Sequence, residues 1–90
     1  MKELTISPSE REQLTAFYMG EVKNDFLSEY PDNTAEDNWW AGIGLGARMF
    51  DLCVYWLDEQ ITCVVYECYK NQSGEYFTDT DRETFLELEG

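Results

Sequence analysis

The chain has 90 residues, with 19 Asp and Glu against 6 Lys and Arg and no His, so its formal net charge at pH 7 is −13. That length holds one small domain, residues 1–90, and excludes a nucleotide-binding domain joined to a substrate domain. A composition that is 43% hydrophobic, with 5 Phe, 6 Tyr and 3 Trp, carries too much apolar surface to stay solvated, so a folded acidic domain is expected rather than a disordered chain.

Ser7-Pro8-Ser9-Glu10 is the first structural signal. Ser7 is placed to accept from the Glu10 amide while Glu10 reaches back, and Pro8 fits the first helical turn. Leu14, Tyr18, Val22 and Phe26 then recur every fourth residue with Phe17 alongside, and Tyr30-Pro31 forces the backbone out of helix, which predicts a helix over 8–29. Gly20 weakens it by up to about 1 kcal/mol relative to Ala. After a polar linker, Asn33 or Thr34 is placed to cap a second helix from Ala35 that buries Trp39 and Trp40, and Gly42, Gly44 and Gly46 break it.

Residues 50–57 fit two periods. As a strand, Phe50, Leu52, Val54 and Trp56 share a face; as a helix, Leu45, Met49, Leu52, Cys53 and Trp56 do. The short link Asp58-Glu59-Gln60 to the β-rich run Ile61–Tyr66 favours a hairpin, although the Asn-Gly or Asp-Gly of an ideal turn is missing. Ile61–Tyr69 reads as a strand, Lys70–Gly74 as a turn, and Glu75–Thr78 as a third strand. Thr80-Asp81-Arg82-Glu83 repeats the capping-box spacing and predicts a short C-terminal helix carrying Phe85, Leu86 and Leu88, with a terminal strand over Thr84–Leu88 as the competing reading. The expected fold is therefore α+β: a small antiparallel three-stranded sheet packed against the N-terminal helix, a second helical segment and a short C-terminal helix.

Chemical motifs are weak. Gly42-Ile43-Gly44-Leu45-Gly46-Ala47 matches GxGxxA, but no strand is evident before it, so close packing or a bend explains the glycines better than a phosphate loop. Asp79-Thr80-Asp81-Arg82-Glu83 opens like a calcium loop, yet Thr84 stands where a Gly is required and Gly90 where a bidentate Glu is required. Cys53, Cys63 and Cys68 form an odd set without a CxxC pair, which points to small buried hydrophobes in a reducing cytoplasm. Without His, and with Glu67 beside Cys68 disfavouring a thiolate, no catalytic residue, metal site or cofactor is expected. No segment approaches the roughly 18 uninterrupted apolar residues of a membrane helix, and no basic cluster suits a membrane surface.

The acids themselves are patterned. Glu21, Asp25, Glu29 and Asp32 fall at steps of four, four and three, a line of negative charge at about 5 to 6 Å per helical turn. Glu36 and Asp37 continue it, Asp58 and Glu59 mark the expected hairpin, and Asp79, Asp81, Glu83, Glu87 and Glu89 crowd the end. Such a field repels DNA, RNA and anionic membranes and attracts the Lys and Arg grooves of nucleic-acid-binding proteins.

In size, acidity, aromatic richness and lack of His, the chain resembles the phage- or plasmid-encoded DNA-mimic inhibitors of the anti-restriction and anti-CRISPR type. That resemblance is one of composition over the whole chain, with no motif to transfer. It implies stoichiometric inhibition of a nuclease or surveillance complex, with Glu21, Asp25, Glu29, Asp32, Glu36 and Asp37 in the basic channel and an exposed aromatic such as Tyr30, Trp39 or Trp40 as anchor. Two alternatives stand beside it. One is an ordinary accessory module or homodimer using the Ile61–Tyr69 strand edge or the tryptophan region, with acidity serving solubility. The other is a small enzyme or metal site built from carboxylates and Cys.

Overall fold

The structure is a computed structural model that describes residues 2–32 and 37–86. Its helix begins where the capping box sets it. Ser7 Oγ accepts from the Glu10 amide at 3.0 Å, and Glu10 Oε1 accepts from the Ser7 amide at 2.8 Å. Helix α1 then runs for 22 residues, α-helical over Pro8–Phe17, π-helical over Tyr18–Val22 and α-helical again over Lys23–Glu29. The π turn has a cause in the sequence. Three successive four-residue steps would rotate an apolar stripe by about 40° each on a regular α-helix, whereas a wider i→i+5 turn turns it back. Leu14, Tyr18, Val22 and Phe26 consequently all stay on the inner face, buried.

Among the described residues there are also five strands: β1 (Lys2–Glu3), β2 (Trp39–Leu45), β3 (Arg48–Leu57), β4 (Gln60–Lys70) and β5 (Tyr76–Phe85). They form one mixed sheet in the order β1-β5-β4-β3-β2, antiparallel except where β1 runs parallel to β5. Helix α1 covers one face, closing a core of Leu4, the four helix residues, Phe50, Leu52, Val54, Cys63, Val65 and Leu86.

This α+β architecture corrects the three-stranded antiparallel expectation in three places. The first is the second helical segment. Asn33 to Glu36 lie outside the described residues, but Trp39–Leu45 is a strand in which Trp39, Ala41, Ile43 and Leu45 are half-buried toward α1 while Trp40, Gly42 and Gly44 face away. Two glycines empty one face of that alternation, so it imitates a helix breaker. Gly46 at φ +63° opens the two-residue turn with Ala47 that returns the chain into β3, a backbone conformation glycine adopts without steric cost.

The second place is β1, a short strand paired parallel to β5 that makes the sheet mixed. Residues 50–57, by contrast, form the strand that the hairpin reading expected, extended back to Arg48 and paired residue for residue with β4 from Met49↔Cys68 to Leu57↔Gln60. The third is the C-terminal helix. Thr80–Glu83 belongs to β5, which meets β4 through an irregularity between Val65↔Thr84 and Glu67↔Asp79. Sheet pairing on both sides overrides the capping-box letters: β4 lies on one side, and Lys2↔Arg82 and Glu3↔Glu83 on the other. Leu88 lies outside the described residues. No helix among the described residues is long and apolar enough to cross a membrane.

Candidate interaction surface

Helix α1 runs alongside β3 in the same direction. Glu10, in its first turn, meets Arg48 at the start of β3. At its far end the Tyr30 carbonyl accepts from Trp56 Nε1 at 3.1 Å near the end of β3. This alignment brings one group of acids toward the end of the helix. Glu21, Asp25 and Glu29 are exposed along the helix, and Asp32 and Asp37 are exposed beyond it. The Tyr30 and Trp39 rings pack edge to face at 6.5 Å, which brings the start of β2 to the same end. The β3–β4 turn, Asp58-Glu59, lies two residues past Trp56 and reaches that end as well.

Acids lie toward the other end as well, with Glu10 and Glu12 on α1, Glu67 on β4, and Glu75, Asp79, Asp81 and Glu83 on and before β5, but the bases are unevenly shared. Of the six basic residues, Lys2, Arg11, Arg48, Lys70 and Arg82 sit toward the helix start, on β1, α1, the head of β3, the tail of β4 and β5. Only Lys23 stands on the later half of α1, and the last helical turn holds no basic residue. Glu29 and the carbonyl end of the helix therefore add negative potential in the same direction.

Two acids outside the expected set belong to this end. Asp58 at φ +49° and Glu59 at φ +65° are both left-handed, the backbone of a two-residue hairpin turn that Asn-Gly fits best. Each such residue costs about 1 to 2 kcal/mol when it is not glycine. The signal was present as an Asp-Glu where a turn-forming pair was due, but its proximity to the helix end depends on β3 running with α1. Of the other candidates, Glu36 lies outside the described residues. Tyr30 and Trp39 are half-buried, Tyr30 against Phe26 at 5.7 Å and Phe26 in turn against Trp56 at 6.1 Å, so these rings brace the end of the core and show only part of their surface.

The other end is a polar clamp. Arg48 donates to both oxygens of Glu67 at 2.9 Å, to Glu10 Oε1 at 2.8 Å and to the Thr5 carbonyl at 3.1 Å. The hydrogen bonds from Arg48 hold the Glu67 carboxyl below its ordinary value, and the Glu67 bond in turn pushes the guanidinium further up.

On the sheet face away from α1, Trp40 stacks on Tyr66 at 5.8 Å and Thr78 Oγ1 donates to Asp51 Oδ2 at 2.6 Å. Cys53, Cys63 and Cys68 are free and buried, and burial first, then neighbouring Asp51 or Cys53, pushes their thiols up to about 11, 12 and 11. Thiols so placed are poor nucleophiles. Among the described residues, no group of three or more His, Cys, Asp or Glu is arranged to hold a metal ion. Comparison with protein-family models, curated proteins and solved structures gives no match.

Proposed function

We propose that the protein is a non-catalytic acidic ligand that docks through the helix-end acids onto the basic nucleic-acid-binding surface of another protein, in the manner of a nucleic-acid mimic. One observation carries this reading: acids occupy positions that local stability would give to other residues. Asp58 and Glu59 fill a turn suited to Asn-Gly, and Glu29 stands at the negative end of the helix dipole. Residues held against local preference cluster at functional sites. The exposed Glu21, Asp25 and Glu29 row leads toward this end, where Lys23 is the one basic residue on the later half of the helix; other acids, Glu75, Asp79, Asp81 and Glu83, lie apart from it on and before β5.

A partner of this kind carries Lys and Arg that neutralise phosphates, and it binds in a salt-dependent way. The test immobilises the full chain, captures proteins from a lysate at low and at high salt, and elutes them with duplex DNA. The expected catch is a nuclease or other nucleic-acid-binding protein that DNA displaces and salt weakens. Recovery of none, or of one indifferent to both DNA and salt, overturns the reading. In the same assay, the double variant Asp58→Asn/Glu59→Gly is expected to bind more weakly while folding more stably. Unchanged binding would remove the patch from the docking surface.

A further inference from the structure

Backbone hydrogen bonding along the two edges of the sheet points to a second property, independent of the docking reading. At one edge, β1 has only two residues, Lys2 and Glu3, both charged, which is how natural sheets blunt an edge against further pairing. At the other edge, β2 has seven, Trp-Trp-Ala-Gly-Ile-Gly-Leu, and it is the one strand among the described residues without a charge. Strand β4 lies between β5 and β3, so the Ile61–Tyr69 segment is interior and offers no edge.

The ladder fixes which groups face outward. Leu45 and Arg48 flank the two-residue Gly46-Ala47 turn and so form its hydrogen-bonded closing pair. Alternation along the antiparallel ladder then turns the amides and carbonyls of Trp39, Ala41, Ile43 and Leu45 toward β3, and those of Trp40, Gly42 and Gly44 away from it.

We infer that β2 is a self-association edge, through which two copies of the chain pair antiparallel about Gly42 into one continuous ten-stranded sheet. One register pairs all seven residues, and it matches outward-facing groups with outward-facing groups: Gly42 with Gly42, and Trp40 of each copy with Gly44 of the other. The large indole then lies opposite a position with no side chain, a pairing that avoids crowding across the new ladder. Charge fits the same arrangement. Antiparallel pairing sends the two helix ends, each with Glu29, Asp58 and Glu59, to opposite ends of the joined sheet and so keeps these acids of the two copies apart. A perpendicular two-fold keeps both α1 helices on the same face.

Two measurements on the full chain test this. Sedimentation equilibrium is expected to show a monomer–dimer equilibrium that tightens about threefold or more between about 0.05 M and 0.5 M salt, because screening removes repulsion between two like net charges. That is the opposite of the salt response of docking to a basic partner, so the two readings fail separately. Gly44→Pro, which removes an outward amide at an edge position that tolerates proline, is expected to abolish the dimer.

Register is read by cysteine crosslinking. Gly42→Cys is expected to form an intermolecular disulfide on mild oxidation, since residues in a hydrogen-bonded antiparallel pair have Cα atoms about 5.5 Å apart, within disulfide reach. Gly44→Cys is expected not to. A monomer at every salt concentration, crosslinking of Gly44→Cys in preference to Gly42→Cys, or a dimer unaffected by Gly44→Pro overturns the inference.

Discussion

Arg48 grips Glu67 with two parallel hydrogen bonds of 2.9 Å, and the same guanidinium reaches the capping-box Glu10 at 2.8 Å. One side chain therefore joins β3, β4 and the start of α1, in a partly buried setting where a bidentate pair has more value than a surface one. Arg48→Met leaves two carboxylates without their cation and is expected to cost about 2 kcal/mol in denaturant unfolding. Arg48→Lys is expected to recover only part of that loss, because an ammonium cannot present the planar fork. Full recovery by Lys would show that point charge alone matters here.

The same pair predicts a pH response. The folded-state value of Glu67 lies below its ordinary 4.5, chiefly because Arg48 donates to the ionised form. Its contribution is therefore complete above pH 4.5 and is lost as pH falls through the lowered folded value. The stability difference between wild type and Glu67→Gln is expected to be flat at neutral pH and to shrink in acid. A difference that grows on acidification would contradict the assignment.

Tyr18 is fully buried and its hydroxyl has no hydrogen-bond partner among the described residues. Burial first, and nearby Cys63 second, pushes its phenol above the ordinary value of 10. Removing an unsatisfied hydroxyl removes its desolvation cost, so Tyr18→Phe is expected to raise stability by about 1 kcal/mol. The raised folded value also means that this group's contribution is present below pH 10 and is lost at higher pH, where the unfolded chain ionises more readily. Tyr18→Phe is expected to soften that alkaline loss. Destabilisation by the Phe variant at neutral pH would mean that the hydroxyl makes an interaction the structure does not show.

How much of this was legible in the sequence follows from how local each signal is. Helix 8–29 was readable because Ser7, Glu10 and the Leu14 to Phe26 stripe act within a few turns of one another. Even the π turn left a mark, since a stripe with only four-residue steps does not suit a regular helix. Strand β2 was not readable, because Gly42 and Gly44 carry no side chains on the face that would have shown alternation. In β5, Thr80 and Glu83 carry a local helix signal that pairing with β1 and β4 outweighs, and that pairing depends on residues far away in the chain. The helix acids were visible as a row. Their meeting with Asp58 and Glu59 required the direction of β3 against α1, which no local pattern encodes.

The π turn gives its own test. A five-residue turn amounts to one extra residue in an α-helix, and Gly20 sits inside it, exposed, with open space around its missing Cβ. Deleting Gly20 converts the steps Leu14, Tyr18, Val22, Phe26 to four, three and four, the regular spacing of an amphipathic face. The deletion is expected to leave a folded protein with equal or higher helix content by circular dichroism, and to remove a residue with about 1 kcal/mol poorer helix propensity than Ala. Loss of cooperative unfolding would show that the core needs the π geometry itself.

The turn between β3 and β4 carries the sharpest prediction, because stability and binding should move in opposite directions there. Asp58 and Glu59 hold positive φ with side chains that disfavour it, and they place two like charges next to each other at an exposed tip. Asp58→Asn/Glu59→Gly supplies the residues that this turn prefers and removes two negative charges from the acid-rich end. An increase of about 1 to 2 kcal/mol is expected, read as a rise of roughly 4 to 15 °C in Tm for a chain of this size. Glu59→Gly alone should give most of it, since glycine is the residue for which the left-handed region costs least. If the acids serve only solubility, the stabilised variant should lose nothing in partner capture; if they form a docking surface, capture should fall as Tm rises. A drop in Tm would show instead that the two carboxylates are held by favourable contacts across the tip.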